Sequence, residues 1–314
     1  MESKNIYDTF NYSVDKVRLY TEIKSNVFQE TMDKFNNYPN VKYREMRTIN
    51  SYFHNFYIEG YLENEENTFT VMDYDKYGEM YQKEKVKTYT FWVGANHNAK
   101  NLVPGLIDVV IEYNPNKCKD SELLKYVLDN IFSHNQFTVV KQIDFAIDIM
   151  QNIKTIKLLR DFKSIYKYFD NTGDDITHYM RKRNSHGHLK IYNKKNESKL
   201  NYECTRYEIT LKIDMDLRFI ESYIPDIGLF PSIILMGTDK QLNFVELTGT
   251  DKVLLDTCID NPNYLKELSR DKRKKIEDYI EALACKVEFK NCTNRIKFVI
   301  DDYFKSINKI KKIN

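Results

Sequence analysis

The sequence predicts an α+β fold with a largely antiparallel central sheet, flanking helices and a more helical C-terminal part. Two observations favour this fold. Apolar and β-branched runs with strand periodicity recur through the first two thirds of the chain, and few helical patterns separate them. Beyond about Leu217 helical spacing becomes more frequent, and its clearest example runs from Asn263 to Cys285.

The middle of the chain is expected to follow the order β-α-β-α-β-β. Its strands are apolar runs that end at polar turns, and they are assigned to 107–113, 138–149, 188–192 and 205–213. The first helix is expected to begin at Asp120-Ser121-Glu122, where a serine cap precedes apolar residues at helical spacing. A second amphipathic helix is expected to carry Ile156, Leu159, Phe162 and Phe169.

The composition is that of a globular protein with a sizeable core, since 42% of the residues are hydrophobic and 30% are charged. No apolar run approaches the roughly 18 residues that a membrane span needs. The first residues, MESKNIYDTF, lack a basic stretch followed by an apolar one. We therefore expect a cytoplasmic protein without a membrane partner. The five cysteines are scattered without CxxC spacing, which favours reduced thiols over disulfides or a zinc site.

Basic residues are clustered although the net charge is only +2. The clusters lie at 181–183, 194–195, 270–275 and 309–312. Such clusters neutralise phosphates and favour a nucleic-acid partner, whereas a solvated surface is the alternative for any single one. On the helix 263–285, Arg270, Arg273 and Lys274 are expected to face outward, where arginine can read guanine in the major groove.

Three predicted strands each carry carboxylates inside an otherwise apolar run. The candidates are Glu112, Asp144, Asp148 and Glu208. A carboxylate in such a run is costly unless it meets solvent, a cation or a metal. Oxygen ligands of this kind suit Mg²⁺ or Mn²⁺, and the alternative is an ordinary antiparallel sheet with one wet face.

Tyr192 ends the predicted strand 188–192 and is a candidate nucleophile. Lys190 shares its strand face, and Lys194 follows closely. A phenol ionises with a pKa near 10, so attack on a phosphodiester needs cations or a base beside it. The chain holds 24 tyrosines, and a strand-end tyrosine is more often a packing residue, so position alone leaves the role open.

Five sequence blocks occur in an order that resembles the Rep_trans family, the initiators of rolling-circle plasmids and their relatives among conjugative-element relaxases. The blocks are VVIEYNPNK (109–117), FTVVKQIDFAID (137–148), THYMRKRNS (177–185), IYNKKNESK (191–199) and RYEITLK (206–212). In this family the tyrosine of the IYNKK block is the DNA-cleaving nucleophile, which corresponds to Tyr192. Two positions depart from the family pattern: Thr210 replaces a second acidic residue, and Ser198 replaces a basic one.

The resemblance implies a protein that nicks one strand of its plasmid origin through a 5′-phosphotyrosyl link and later rejoins it. Mg²⁺ or Mn²⁺ would be held by some of the four carboxylates, and the substrate would be double- and single-stranded origin DNA. The resemblance further implies a host helicase and a homodimer. Residues 1–216 would form the nicking region, with a core at 107–213, and residues 217–314 a mostly helical DNA-recognition region. The expected DNA contacts are Arg183, Lys195, Arg206, Arg270, Arg273 and Lys274.

Two alternatives remain at the sequence level. A conjugative relaxase would use the same nicking chemistry, and a DNA-binding regulator would keep the fold without cleavage. The His186-Gly187-His188 segment resembles a histidine metal motif of another initiator family. We reject a metal role there, because glycine occupies the middle position and the tyrosine follows too soon. These histidines are expected to face solvent or DNA.

Overall fold

A computed structural model describes residues 6–36, 41–46, 54–61, 68–74, 77, 79–86, 88–96, 105–118, 121–133, 137–159, 165–170, 176–236, 249–260 and 262–310. The chain divides into two compact units, each built from three separate segments. Unit 1 comprises Met1–Ser13, Phe145–Lys212 and Ile224–Val299, and unit 2 comprises Val14–Asp144, Ile213–Tyr223 and Ile300–Asn314. The contiguous division at residue 216 that the sequence suggested therefore does not match the compact units.

Unit 2 contains most of the N-terminal elements. These are β1 (Asn11–Lys24), α1 (Ser25–Asn36), β2 (Val41–Met46), β3 (His54–Tyr61), β4 (Thr68–Tyr74), β5 (Met80–Val86), β6 (Thr88–Asn96), β7 (Leu106–Tyr113), α2 (Glu122–Val127) and the first half of β8 (Val139–Ile149). Its antiparallel strands lie in the order β8-β1-β7-β6-β3-β2, and β4 pairs with β5 separately.

Strand β1 shows why this part of the chain forms a sheet. Val17, Leu19 and Ile23 are buried at alternate positions, whereas Arg18 and Tyr20 between them are half-exposed. Alternation with period two gives a strand one apolar face for the core and one polar face. The predicted α2 is confirmed, because Ser121 caps it by accepting a hydrogen bond from the Leu124 N–H at 3.1 Å.

Unit 1 contains the second half of β8 and the elements that follow it. These are β9 (Ile156–Leu158), β10 (Tyr166–Asp170), β11 (Ile176–Met180), β12 (Leu189–Asn193), α3 (Lys194–Ser198), β13 (Thr205–Asp216), β14 (Ile233–Met236), α4 (Gly249–Asp260), α5 (Arg270–Leu283), β15 (Ala284–Val287) and α6 (Thr293–Ile310). Strands β10-β11-β12-β13-β8 are neighbours in this order, and β15-β14-β9 form a small sheet. Strands β1, β8 and β13 and helix α6 contribute residues to both units.

Aromatic packing covers one face of β13. The Tyr207 ring lies 4.6 Å from the Phe289 ring and 6.3 Å from the Phe230 ring, centroid to centroid. Phe230 and Phe289 come from the C-terminal half of the chain, and all three side chains are buried. Because strand residues alternate, this apolar face directs Arg206 and Glu208 to the opposite face.

The antiparallel α+β prediction is confirmed, but two predicted helices are wrong. In place of the second amphipathic helix, the described residues form β9 and β10, because Ile156 and Leu158 are buried on one face of β9 and pair with β14. Phe162, also predicted to lie in this helix, is outside the described residues. The helix from Asn263 to Cys285 is interrupted: a 3-10 helix spans Pro262–Glu267, α5 begins at Arg270, and Cys285 lies in β15. The C-terminal part therefore also contributes strands.

Among the residues that the structure describes, no helix is both long and apolar enough to span a membrane. Four cysteines are free and buried, as expected for reduced thiols: Cys118, Cys204, Cys258 and Cys292.

Candidate active site

Tyr192 lies on β12, which is held between two antiparallel neighbours. Across these pairs Tyr192 is opposite Thr177 of β11 and Arg206 of β13, and Lys190 is opposite Tyr179 and Glu208. Directly opposite residues of antiparallel strands share a face. Unit 1 therefore brings Lys190, Tyr192, Arg206 and Glu208 to one face, opposite the aromatic packing of Tyr207.

Two lysines approach the Tyr192 ring. The Lys190 Nζ lies 3.8 Å from the ring centroid and the Lys194 Nζ lies 5.9 Å from it. An ammonium over an aromatic face is attracted by the ring, and a positive charge near a phenol also favours its ionised form. Tyr192 is only 5% exposed, and the Lys190 ammonium lies over its ring.

The residues after Tyr192 form a tight cap-and-helix turn. The Asn193 side chain accepts from the Asn196 N–H at 3.2 Å and begins α3. The backbone N–H groups of Lys194 and Lys195 both donate to the Cys204 carbonyl, at 2.9 and 3.1 Å. These bonds fix the two lysines at the end of β12, where Lys194 pairs with Glu197 and Lys195 pairs with Glu203.

Cys204 beside this turn is not a competing nucleophile. Burial, and then the negative charge of Asp148, raise the pKa of the Cys204 thiol to about 11. A thiol with such a pKa stays protonated near neutral pH, and the thiolate is the reactive form.

Arg206 and Asp148 form a two-pronged ion pair. The Arg206 Nε donates to Asp148 Oδ1 at 2.6 Å and its Nη2 donates to Oδ2 at 2.7 Å. The two side chains are 9% and 19% exposed. Both carboxylate oxygens of Asp148 thus accept from arginine, so Asp148 does not fit a metal ligand in this arrangement and Arg206 does not fit a phosphate contact.

Glu112 and Asp144, in unit 2, converge on one cation that the sequence analysis missed. The Lys16 Nζ lies 3.1 Å from Asp144 Oδ2 and 3.6 Å from Glu112 Oε1. The Arg18 Nε lies 3.9 Å from Glu112 Oε2, and the Gln142 Nε2 donates to Asp144 Oδ1 at 3.0 Å. Two carboxylates around a single cation position fit Mg²⁺ or Mn²⁺, which bind one or two carboxylates and complete their shell with water. The period-two alternation of β1 was the sequence feature that could have indicated Lys16 as a residue on the polar face of a strand.

The described residues show no third carboxylate beside Glu112 and Asp144, and no group of three around Glu208. Within the described ranges, no three His, Cys, Asp or Glu residues are grouped so that they could hold a metal ion. Glu208 is half-buried in unit 1, opposite Lys190. Thr210, the departure from the family pattern, is buried, and its backbone accepts from the Gly187 N–H at 2.8 Å and donates to the His188 carbonyl at 2.9 Å.

The turn between β11 and β12 explains the His-Gly-His segment without a metal. Gly187 has φ +74°, and a Cβ there would lie 2.8 Å from the Arg181 Nη1. That guanidinium donates to the carbonyls of Gly187 and Leu229 at 2.6 and 2.7 Å. The His186 Nδ1 accepts from the Lys212 N–H at 2.9 Å, and the His188 ring stacks 6.0 Å from Tyr179.

The remaining predicted DNA contacts lie on surfaces with different local roles. Arg183, in the turn before β12, is exposed, as are Arg270 and Lys274 on α5. Arg273 is half-buried, and its guanidinium donates to the carbonyls of Leu265 and Lys266 at 2.7 and 2.9 Å. Arg273 therefore connects α5 to the preceding 3-10 helix rather than projecting outward.

Comparisons with known proteins give a partial match, and no family model matches the chain. Three replication initiation proteins from Staphylococcus aureus are each 32% identical over 114 residues, which cover 33% of this chain and 36% of each relative. The match thus spans about a third of the relatives' length. The rolling circle replication initiator protein from Geobacillus stearothermophilus covers 76% of this chain and 92% of its own at 14% identity, with a TM-score of 0.34, too low to establish a shared fold. The sequence similarity to the three relatives confirms the resemblance to a family of replication initiators that the motifs predicted.

Proposed function

We propose that this protein initiates rolling-circle replication of a plasmid by nicking one DNA strand with Tyr192. The position of Lys190 carries the proposal, because its ammonium lies 3.8 Å from the Tyr192 ring centroid on the face that Arg206 and Glu208 share. A tyrosine beside a fixed positive charge is suited to nucleophilic work on a negatively charged phosphodiester. The similarity to replication initiation proteins supports the biological role.

Nicking exchanges one phosphoester bond for another. The Tyr192 oxygen forms a bond to the scissile phosphorus as the bond to the 3′-oxygen breaks. The phenol proton leaves to a base, and the 3′-oxygen takes up a proton to become a free hydroxyl. The attack is reversible, because that hydroxyl can displace the tyrosine and reseal the strand. Lys190 and Lys194 would contact the phosphate. Their side chains would move toward it and so expose the Tyr192 ring that they now approach.

A divalent metal is part of the proposal, with Glu112 and Asp144 as the residues that would hold it. When bound, Mg²⁺ or Mn²⁺ would supply Lewis-acid polarisation of a phosphate. The ion would take the position of the Lys16 ammonium, which now lies within 3.6 Å of both carboxylates. Asp148, which the sequence pattern also indicated as a metal ligand, pairs with Arg206 and is not part of the proposed metal site.

The resemblance extends the proposal to three partners: double-stranded origin DNA, a host helicase and a second copy of the chain. Arg183, Lys195, Arg270 and Lys274 remain the proposed origin contacts. Lys195 already pairs with Glu203, so a phosphate would have to compete for its ammonium.

The nucleophile is tested with Tyr192→Phe. This change removes only the hydroxyl, so the fold and origin binding should persist while nicking falls to background. The measurement is conversion of a supercoiled plasmid carrying its own origin to nicked DNA with Mn²⁺ present, together with a covalent protein–DNA adduct on a denaturing gel. The matched control is Tyr179→Phe on the neighbouring strand, which should nick normally. Nicking retained by Tyr192→Phe and lost in Tyr179→Phe would reassign the nucleophile, and an intact plasmid with wild-type protein would favour a non-cleaving regulator.

The metal is tested by direct binding. We expect Glu112→Gln and Asp144→Asn each to weaken Mn²⁺ binding about tenfold or more, because each removes one of two charged ligands. Lys16→Met should strengthen binding, because it removes the competing ammonium. Titration calorimetry with Mn²⁺ and the DNA-free protein measures all three. Equal affinities across the series would remove this metal position, and nicking that persists in EDTA would remove the metal requirement.

A further inference from the structure

The sheet face that carries Tyr192 continues across β11 to β10 with alternating aromatic and basic side chains. Lys167 of β10 lies opposite Tyr179 of β11, which in turn lies opposite Lys190 of β12. One step along the strands, Phe169 lies opposite Thr177, which lies opposite Tyr192. Opposite residues share a face, so the two rows form a continuous surface, which we call the β10–β12 track.

Three rings on the track contact one another in sequence. Phe169 meets the Tyr179 ring edge-on at a centroid distance of 5.8 Å. Tyr179 lies parallel to the His188 ring at 6.0 Å with an interplanar angle of 12°. Phe169 is 49% exposed, and Tyr179 and His188 are half-buried. The rings therefore pack against one another while the outermost one remains open to a ligand.

The charges along the track suit a phosphate backbone. Lys167 is exposed and lies directly across from Tyr179, and the exposed Arg183 follows β11 in the same turn as His188. Cations interleaved with exposed rings are the combination by which proteins bind single strands: the rings stack with bases and the cations contact phosphates. Stacking of this kind requires unpaired bases, because the faces of paired bases are covered within a duplex.

The opposite face of the same strands offers an internal comparison. Tyr168, the neighbour of Phe169, is also 49% exposed but points to the other face, where its ring lies 5.1 Å from His178. That face borders a cavity of about 420 Å³ lined by Tyr166, Tyr168, His178, Lys154, Lys157 and four apolar side chains. Tyr168 and Phe169 are thus equally exposed on opposite faces of the sheet.

We infer that the β10–β12 track binds the single-stranded DNA that leads to the scissile phosphate, with a base stacked on Phe169, whose ring packs against the ring of Tyr179. Lys167 contacts the backbone of that strand. The inference rests on the proposed function, because Tyr192 at one end of the track is the proposed nucleophile. It adds residues outside the nicking chemistry that position the strand, and two of them, Lys167 and Phe169, lie outside the five sequence blocks.

The experiment measures single-strand binding separately from cleavage. Full-length protein carrying Tyr192→Phe is titrated in EDTA into a fluorescein-labelled thymidine oligonucleotide of about 12 nucleotides, a length within the usual site size of such surfaces. Phe169→Ala should raise the Kd roughly five- to hundredfold, the loss of one stacked base. Tyr168→Ala is the matched control and should leave the Kd within about twofold. Tyr179→Leu should weaken binding and Tyr179→Phe should not, because only the ring is required.

The outcomes separate the track from the nicking proposal. Single-strand binding with equal Kd values for all variants overturns the track and leaves Tyr192 as nucleophile untouched. A loss confined to Tyr168→Ala overturns it in favour of the opposite face. Absence of any single-strand binding by the parent protein overturns the track and the proposed function together. Thermal unfolding monitored by circular dichroism confirms that each variant is folded before its Kd is compared.

Discussion

Arg206 of β13 and Asp148 of β8 form an ion pair with little exposure to solvent. Both side chains are largely buried, and two hydrogen bonds of 2.6 and 2.7 Å satisfy both carboxylate oxygens. Removing one partner of a buried pair leaves a charge in a place that cannot solvate it. The pair therefore stabilises the packing of β8 beside β13 within unit 1.

We expect Asp148→Asn to lower the free energy of unfolding by about 3 kcal/mol or more, because Arg206 keeps its charge but loses the carboxylate that accepts two of its hydrogen bonds. The control is Asp214→Asn, which removes the same charge from the exposed pair with Lys141, where 72% of the aspartate side chain is accessible. That change should cost less than about 1 kcal/mol. Chemical denaturation of both variants measures the difference. Equal losses of unfolding free energy would show that the buried Arg206 pair stabilises the fold no more than the exposed pair does.

The sequence could predict the residue types at the site but not their partners. Periodicity correctly placed Lys190 and Tyr192 on one strand face and Asp144 and Asp148 on another. Periodicity gave no means of deciding whether each carboxylate binds a metal ion or a basic side chain. That choice depends on Lys16, which is far from Asp144 in sequence and reaches it only through strand pairing.

At the scale of elements, α5 shows how tertiary contacts redefine a helix. The sequence pattern from Asn263 to Cys285 is continuous, yet the chain forms a 3-10 turn, a break and then α5. Ile276 is buried against Leu255 and Cys258, with Leu268 packed beside them. Arg273 then donates to the carbonyls of Leu265 and Lys266 in the 3-10 turn.

This arrangement changes what is expected of the α5 cations. Arg273→Ala should lower the free energy of unfolding by about 1–2 kcal/mol, because two carbonyl acceptors lose a charged donor. Arg270→Ala and Lys274→Ala alter exposed side chains and should leave stability unchanged within about 0.5 kcal/mol. If α5 reads the origin, Arg270→Ala lowers preference for the cognate duplex, and Lys274→Ala weakens cognate and scrambled duplexes alike.

Thermal unfolding and duplex binding at two salt concentrations measure both effects. Unchanged discrimination by Arg270→Ala would remove α5 from the recognition surface. An unchanged unfolding temperature for Arg273→Ala would show that its carbonyl contacts add no stability.

At the scale of the whole molecule, each compact unit is assembled from distant parts of the chain. In unit 1 the Tyr7 hydroxyl donates to the Glu288 carbonyl at 3.1 Å, and Arg295 donates to the Tyr7 carbonyl at 2.5 Å. In unit 2 the hydroxyl groups of Tyr113 and Tyr303 are 2.6 Å apart. Each unit therefore requires the C-terminal third of the chain.

A truncation tests this assembly directly. We expect the fragment 1–216 to lack a cooperative thermal transition, because it removes Ile224–Val299 from unit 1 and Ile300–Asn314 from unit 2. Circular dichroism and the dispersion of amide signals in an NMR spectrum compare the fragment with the full chain. A folded fragment that still nicks single-stranded DNA would restore the contiguous domain division expected from the sequence.

The sequence by itself determined the α+β class, the principal strands around Tyr192 and the resemblance to replication initiators, because strand periodicity, turn residues and short motifs are local properties. Only the tertiary structure decided which charges pair, which cation occupies the position between Glu112 and Asp144, and which segments build each unit. These features depend on contacts between residues that are distant in sequence, and a local pattern carries no information about such contacts. The described residues 156–158 and 166–169 show the difference: their spacing suited a helix, but β9 pairs with β14 and β10 pairs with β11.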